Sequence, residues 1–243
     1  MKRAVVRFYA ELNDFVPPAK RYRDIEVLFH VGPAVRDLIE SEGIPHTEVD
    51  LVLVNGESAP FTRVVEDRDR ISVYPVFESF DIAPLSLVRP EPLRHPRFLL
   101  DVHLGRLAAY LRMAGFDAAY ADDAGDAALA RTSAAEERIL LTRDRGLLKR
   151  AAVTRGYYVR ETAPFAQLRE VVARFDLRRL LAPFTRCLAC NGELRDVTAV
   201  GVAERVPAEV LARHTEFREC PACARVYWKG SHYERMQALL AQL

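Results

Sequence analysis

The four cysteines of this 243-residue chain fall into two CxxC pairs, Cys187-Leu-Ala-Cys190 and Cys220-Pro-Ala-Cys223, with 29 residues between them. Each pair can offer two thiolates from one tight turn, and two such turns brought together give the tetrahedral four-sulfur set of a closed structural Zn²⁺ site. The spacing predicts a zinc ribbon. Two disulfides or four core thiols are the alternative, disfavoured because no cysteine lies outside the pairs and nothing in the sequence points to an oxidising compartment. Four thiolates leave no open coordination position, so such a metal holds a fold together and carries out no reaction. The chemistry has to lie elsewhere.

Half of the residues are hydrophobic and 28% are charged, enough to bury a substantial core in two or three domains. The N-terminal run Met1-Lys-Arg-Ala-Val-Val-Arg-Phe8 mixes charge with apolar residues and has no uninterrupted apolar segment, and no later stretch approaches a membrane span. A cytoplasmic protein with no membrane partner is expected. Charge is unevenly distributed: residues 1–82 hold 10 Lys/Arg against 15 Asp/Glu, whereas residues 143–186 hold 11 against 4. The second segment is a candidate polyanion-binding surface, with a solvated helix face as the plainer reading.

Residues 3–10 and 22–29 alternate polar with apolar, as half-buried strands do, around a loop containing Pro17-Pro18. A helix is expected from Pro33, with Val35, Leu38 and Ile39 on one face and Gly43 as its stop. Strands over Val49–Val54 and Ile71–Phe77 follow. This ββαββ order predicts a β-grasp domain over residues 1–82. Leu53-Val-Asn-Gly-Glu57 and Asp69-Arg-Ile-Ser-Val-Tyr-Pro75 resemble the ubiquitin-like sulfur carriers of the thiamine and molybdopterin pathways. Those carriers end in a Gly-Gly tail activated at its carboxylate; here the chain runs on through Phe77-Glu-Ser-Phe-Asp81, which argues against sulfur transfer.

Pro84, Pro90, Pro92 and Pro96 mark residues 83–97 as a semi-rigid linker. Beyond it, Phe98-Leu-Leu100 reads as a buried strand, and Leu104, Leu107, Ala108, Leu111 and Met113 as an amphipathic helix stopped at Gly115. Ala118–Ala121 is a short strand, Asp126 stands as the N-cap of a helix reaching about Glu137, and Arg138–Thr142 is the next strand, leading through Arg143-Asp-Arg145 into Leu147-Leu-Lys-Arg150. Strands alternating with helices predict a parallel α/β sheet.

Asp101, the Asp122-Asp123…Asp126 cluster and Asp144 all lie just beyond strand carboxyl ends, the edge at which open α/β sheets bind ligands. Two carboxylates about 5 Å apart repel by roughly 3 kcal/mol at an effective dielectric near 20, a cost removed by a divalent cation between them. Oxygen ligands of this kind select Mg²⁺ or Mn²⁺, which can activate a water for attack on phosphorus. Capping is the plainer role for Asp126 and Asp144. Asp101, isolated between apolar residues, has no evident structural use.

Phe98-Leu-Leu-Asp-Val-His-Leu-Gly-Arg-Leu-Ala108, Leu111-Arg-Met-Ala-Gly-Phe116 and Ile139-Leu-Leu-Thr-Arg-Asp-Arg145 resemble the PIN-like RNase domain named after the Mut-seven exonuclease C-terminus. The stretches around Cys187–Leu194 and Cys220–Met236 resemble that family's C-terminal module, and a ubiquitin-like N-terminal domain accompanies the family in bacteria. The resemblance implies a PIN-like nuclease domain over residues 98–180 and a zinc ribbon with a C-terminal helix over 181–243. It further implies metal-dependent hydrolysis of RNA phosphodiester bonds, with Asp101 and Asp144 as Mg²⁺ or Mn²⁺ ligands, Asp126 as the acid of the middle helix and Asp123 as a fourth. Gly146 stands where some related nucleases carry another acid. RNA contacts are expected from Arg143, Arg145, Lys149 and Arg150 and, on the ribbon, from Trp228 and Lys229; Tyr227 and Trp228 serve equally as a small ribbon core. The β-grasp domain is expected to meet a protein partner. The rival reading is a non-catalytic RNA-binding or adaptor protein that keeps the fold and the ribbon.

Overall fold

The computed structural model describes residues 1–75, 85–88 and 95–243. The expected strand end at Val76-Phe77 and the linker prolines Pro84, Pro90 and Pro92 lie outside the described residues. In chain order the strands and α-helices are β1 (Lys2–Phe8), β2 (Ile25–Phe29), α1 (Val35–Ser41), β3 (Leu51–Val54), β4 (Glu57–Ser58) and β5 (Arg70–Tyr74), then β6 (Phe98–Leu100), α2 (Gly105–Met113), β7 (Ala118–Tyr120), α3 (Asp126–Ala135), β8 (Ile139–Thr142), α4 (Arg145–Leu148) and β9 (Gly156–Tyr158). They continue with α5 (Pro164–Arg174), β10 (Arg195–Val197), α6 (Ala199–Val202), α7 (Ala208–Arg213), β11 (Phe217–Glu219), β12 (Val226–Trp228) and α8 (Ser231–Leu240). By contacts the chain divides into two compact units, Met1–His95 with Gly125–Tyr158, and Pro96–Ala124 with Val159–Leu243. This grouping is distinct from the expected boundaries at 82, 97 and 180, because residues 125–158 pack with the N-terminal domain.

In the first unit β1 pairs antiparallel with β2 and parallel with β5, giving the sheet order β2-β1-β5-β3-β4 of a β-grasp domain. Strand alternation decides which face is buried: Ala4, Val6 and Phe8 point inward with Ile71 and Val73 of β5, and α1 adds Val35, Leu38 and Ile39. Each of these Val, Ile, Leu and Phe side chains, fully buried, is worth about 1.5–3 kcal/mol of transfer free energy. The helix begins at Val35, two residues after the expected Pro33, because Pro33 and Val35 are held by the neighbouring loop: Val65 N–H donates to the Pro33 carbonyl and Val35 N–H to that of Arg63.

Residues 125–158 supply α3, the parallel pair β8–β9 and α4. They are joined to the β-grasp domain by polar contacts. The Glu48 carboxylate accepts from the Tyr158 N–H at 2.6 Å, and His46 lies with Nδ1 at 2.7 Å from Glu40 Oε1 and Nε2 at 2.8 Å from the Val153 carbonyl. Burial, with Arg36 close by, lowers the His46 pKa, while its contacts with Val153 and Glu40 pull the other way.

In the second unit β6 runs parallel to β7. Phe98, Leu99 and Leu100 are all buried, the continuous apolar run of a strand covered on both faces. The Phe98 ring meets Phe116 and Phe175 edge-on, at 6.1 and 5.8 Å between centroids, which locks β6 to the segment after α2 and to the end of α5. Gly115 ends α2 with φ +98°, and a Cβ there would stand 2.1 Å from the Ala182 carbonyl oxygen. Only glycine allows the turn and that approach together. The ribbon is the antiparallel sheet β10-β11-β12 over a small core of Val202, Val206 and Phe217, against which Trp228 packs.

Candidate functional site

Cys187 and Cys190 flank one turn, Cys220 and Cys223 the other, and their four Sγ atoms lie within 4.8 Å of one another. The Sγ atoms of Cys187 and Cys223 are 3.5 Å apart and those of Cys190 and Cys220 3.3 Å, with no disulfide formed. Tetrahedral zinc with Zn–S bonds near 2.3 Å needs sulfurs about 3.8 Å apart, so these residues fit the ion with little adjustment. Burial raises the Cys187 pKa, but hydrogen bonds from the Tyr227 hydroxyl, at 3.0 Å, and from the backbone of Cys190 and Ala189 outweigh it and bring the thiol down to about 6. Cys190 benefits from the Gly192 N–H, yet burial and the neighbouring thiols push it up to about 12. All four could be thiolates together only with a cation among them. Beside the base-stacking or core role its position suggests, Tyr227 has a hydroxyl contact with Cys187, 40 residues away, that leaves no signal in the sequence.

The acidic residues divide between the units. In the second unit Asp101 follows β6 and is 6% exposed, at the N-cap of a single 3-10 turn, its carbonyl accepting from the Leu104 N–H. Asp123 is exposed in the turn after β7. The register sets Leu100 beside Tyr120, so both aspartates leave the carboxyl edge of the same strand pair. The Tyr120 hydroxyl donates to the Val102 carbonyl at 3.0 Å, fixing the Asp101 turn to the end of β7. Gly105 permits this, since a Cβ there would stand 2.8 Å from that hydroxyl. Nothing in the sequence marks Tyr120 for this role, because its partner is a backbone carbonyl.

In the first unit Asp126 is the first residue of α3 and the N-cap is Gly125, a correction to the expected cap. Its carboxylate instead meets Arg150 at 3.5 Å. Asp144 is an N-cap: Oδ1 accepts from the N–H of Gly146 at 2.6 Å and of Leu147 at 3.4 Å. This leaves Oδ2 for other partners.

The basic residues around Asp144 have specific neighbours. Arg145 lies over the rings of Phe15 and Tyr158, 4.9 and 5.5 Å from their centroids, and donates to the Phe15 carbonyl at 3.1 Å. Lys149 donates to the Glu40 carbonyl. Both expected RNA contacts are thus committed to the β-grasp domain, while Arg143 is half-buried beyond β8 and Arg150 is exposed. On the ribbon, Trp228 and Lys229 line a groove of about 520 Å³ with Phe184, Arg218 and Tyr233, and Lys229 pairs with Glu216 at 2.5 Å.

Comparison with known families places residues 96–240 in the Mut7-C RNAse domain and residues 1–81 in the Mut7-C ubiquitin family. The chain belongs to the Mut7-C RNAse-domain family. Among solved structures it is similar to a putative molybdopterin converting factor, subunit 1, from Pyrococcus furiosus, at 20% identity over 32% of this chain and 100% of that one, with a TM-score of 0.26. No curated protein matches the chain. Among the described residues no helix is long and apolar enough to cross a membrane.

Proposed function

We propose that this Mut7-C protein is a cytoplasmic ribonuclease that hydrolyses RNA phosphodiester bonds at a divalent-metal site built from Asp101, Asp123, Asp126 and Asp144. The observation that carries this reading is Asp101: a carboxylate 6% exposed at the carboxyl edge of a parallel strand pair, within the segment matched to an RNase family. Mg²⁺ or Mn²⁺ held there would neutralise the phosphate and lower the pKa of a bound water. Asp101 and Asp144 supply oxygens from the ends of β6 and β8, and Asp144 can do so through Oδ2 while Oδ1 caps α4. Arg143 and Arg150 contact RNA phosphates, Trp228 and Lys229 hold the strand at the ribbon, and zinc keeps the ribbon folded. A protein partner is assigned to the β-grasp domain.

The adaptor reading draws on one observation: Asp144 and Asp126 each already have a structural partner, in the α4 cap and in Arg150. One experiment separates the two. Purified protein is incubated with mixed cellular RNA, with and without Mn²⁺ or Mg²⁺, beside Asp101→Asn. Metal-dependent cleavage lost in the variant supports the nuclease, and RNA binding without cleavage in either protein supports the adaptor.

A further inference from the structure

Arg112 stands on α2 among apolar neighbours, is 5% exposed, and has an unusual set of partners. Its Nε donates to the Ala118 carbonyl at 2.9 Å, and one terminal nitrogen donates to the carbonyls of Leu188 at 3.0 Å and Ala189 at 2.8 Å. Every acceptor is a neutral backbone carbonyl, and none of its hydrogen bonds goes to a carboxylate. A buried guanidinium without an anion is costly, because carbonyl dipoles replace only part of its lost hydration. The nearby acid is engaged elsewhere: Asp117 accepts from Asn191 Nδ2 at 2.7 Å and lies 3.9 Å from Arg186.

Leu188 and Ala189 are the two residues between Cys187 and Cys190, so the guanidinium is fastened to the first cysteine turn itself. Four thiolates around a divalent cation form a dianion, and a dianion inside a protein needs positive charge near it. The two anomalies answer each other.

A second contact strengthens the attachment. Asn191, one residue past Cys190, accepts the Ala118 N–H on its side-chain oxygen at 3.0 Å. Arg112 and Asn191 together therefore hold the turn against both the donor and the acceptor of one β7 residue. By contrast, Cys220 and Cys223 lie between β11 and β12, within the ribbon sheet.

We propose that Arg112 is the buried counter-charge of the four-thiolate metal centre and the bolt that ties its first cysteine turn to α2 and β7. The metal then acts as a clasp between the α/β part of this unit and the ribbon hairpin. This holds whether or not the chain cleaves RNA.

The test uses the full chain, stripped of metal under reducing conditions and titrated with Co²⁺, then Zn²⁺ in competition, followed by the thiolate-to-cobalt absorption band. Arg112→Lys keeps the charge and loses the forked donors; Arg112→Gln keeps donors and loses the charge. Loss of such an outer-shell partner is expected to weaken metal binding by about 10- to 100-fold, with Lys retaining clearly more affinity than Gln. A Gln variant that binds as tightly as the Lys variant, or as the wild type, overturns the counter-charge. The bolt is tested on the wild type by amide exchange. Removing the metal should speed exchange of the Ala118 amide at least about tenfold while Leu168–Val172 of α5 stay protected. An unchanged Ala118 amide, or equal loss of protection across the unit, overturns that part.

Discussion

The ammonium of Lys149 donates to the backbone carbonyl of Glu40 at 2.6 Å, so a charge that sequence assigns to a polyanion surface is a strut between α4 and the β-grasp domain. Arg145, one turn earlier, is held still more tightly by two rings and the Phe15 carbonyl. The helix that Asp144 caps is therefore braced from outside its own segment.

Arg145→Ala removes the charged hydrogen bond and the contact with both rings, and should lower the stability of the first unit by about 2–3 kcal/mol. Arg145→Lys should recover less than half, since an ammonium lacks both the planar face that packs against an aromatic ring and the forked donors of a guanidinium. Urea unfolding read by circular dichroism checks both. A loss under about 0.5 kcal/mol, the range of ordinary surface changes, would make the brace incidental.

His46 gives this unit a pH dependence. Its folded pKa is lowered, chiefly by burial and then by Arg36, so the folded ring binds a proton less tightly than the unfolded chain does at 6.5. The resulting stability is present above pH 6.5 and is lost as the pH falls below that value toward the folded pKa. The urea midpoint should drop between about pH 7.5 and about pH 5.5, and His46→Gln, which cannot titrate, should flatten that drop. An identical pH profile in the variant would place the dependence elsewhere.

The observed capping role of Asp144 and the metal-ligand role proposed for it can be pulled apart. Asparagine caps helices as well as aspartate does, so Asp144→Asn should keep stability and lose metal-dependent cleavage. Asp144→Ala should lose cleavage and about 1 kcal/mol besides. Asp101→Asn, with no side-chain cap to lose, should behave like the first. Full cleavage by Asp144→Asn in the presence of Mn²⁺ would remove this residue from the metal site.

Trp228 is the single tryptophan of the chain, and its fluorescence reports on the ribbon groove alone. Single-stranded RNA should quench it more strongly than duplex of the same length, because only unpaired bases can stack there. Lys229→Ala should flatten the slope of log affinity against log salt by about 0.7. Fluorescence that stays constant while the RNA is being bound would move the contact off the ribbon.

What the sequence could reveal follows from the kind of signal each feature leaves. Strand alternation in residues 3–8 and 70–74 marks the buried faces, and the CxxC spacing brings four sulfurs together without any knowledge of the rest of the fold. Gly115 announces its turn because no other residue adopts φ +98° without cost. Arg112 leaves no such mark. Its partners are backbone carbonyls 6, 76 and 77 residues later in the chain, and a carbonyl has no letter in the sequence. The carbonyl partners of Lys149 and Arg145 are equally silent, since counting charges cannot distinguish a side chain facing water from one facing a neighbouring main chain. The cap of α3 was missed by one residue because Gly125 and Asp126 are both acceptable there, and only the backbone angles decide between them.

The parallel pairing of β1 with β5 has a consequence for how the chain is made. Lys2–Phe8 leaves the ribosome well before its central neighbour, Arg70–Tyr74, which appears more than sixty residues later, and the Val153 carbonyl that meets His46 later still. At about 5–20 residues per second, the apolar side of β1 stays uncovered for several seconds of synthesis, a window in which a nascent-chain chaperone has something to hold. Ribosomal pausing before residue 74 would lengthen that window and pausing after residue 158 would not.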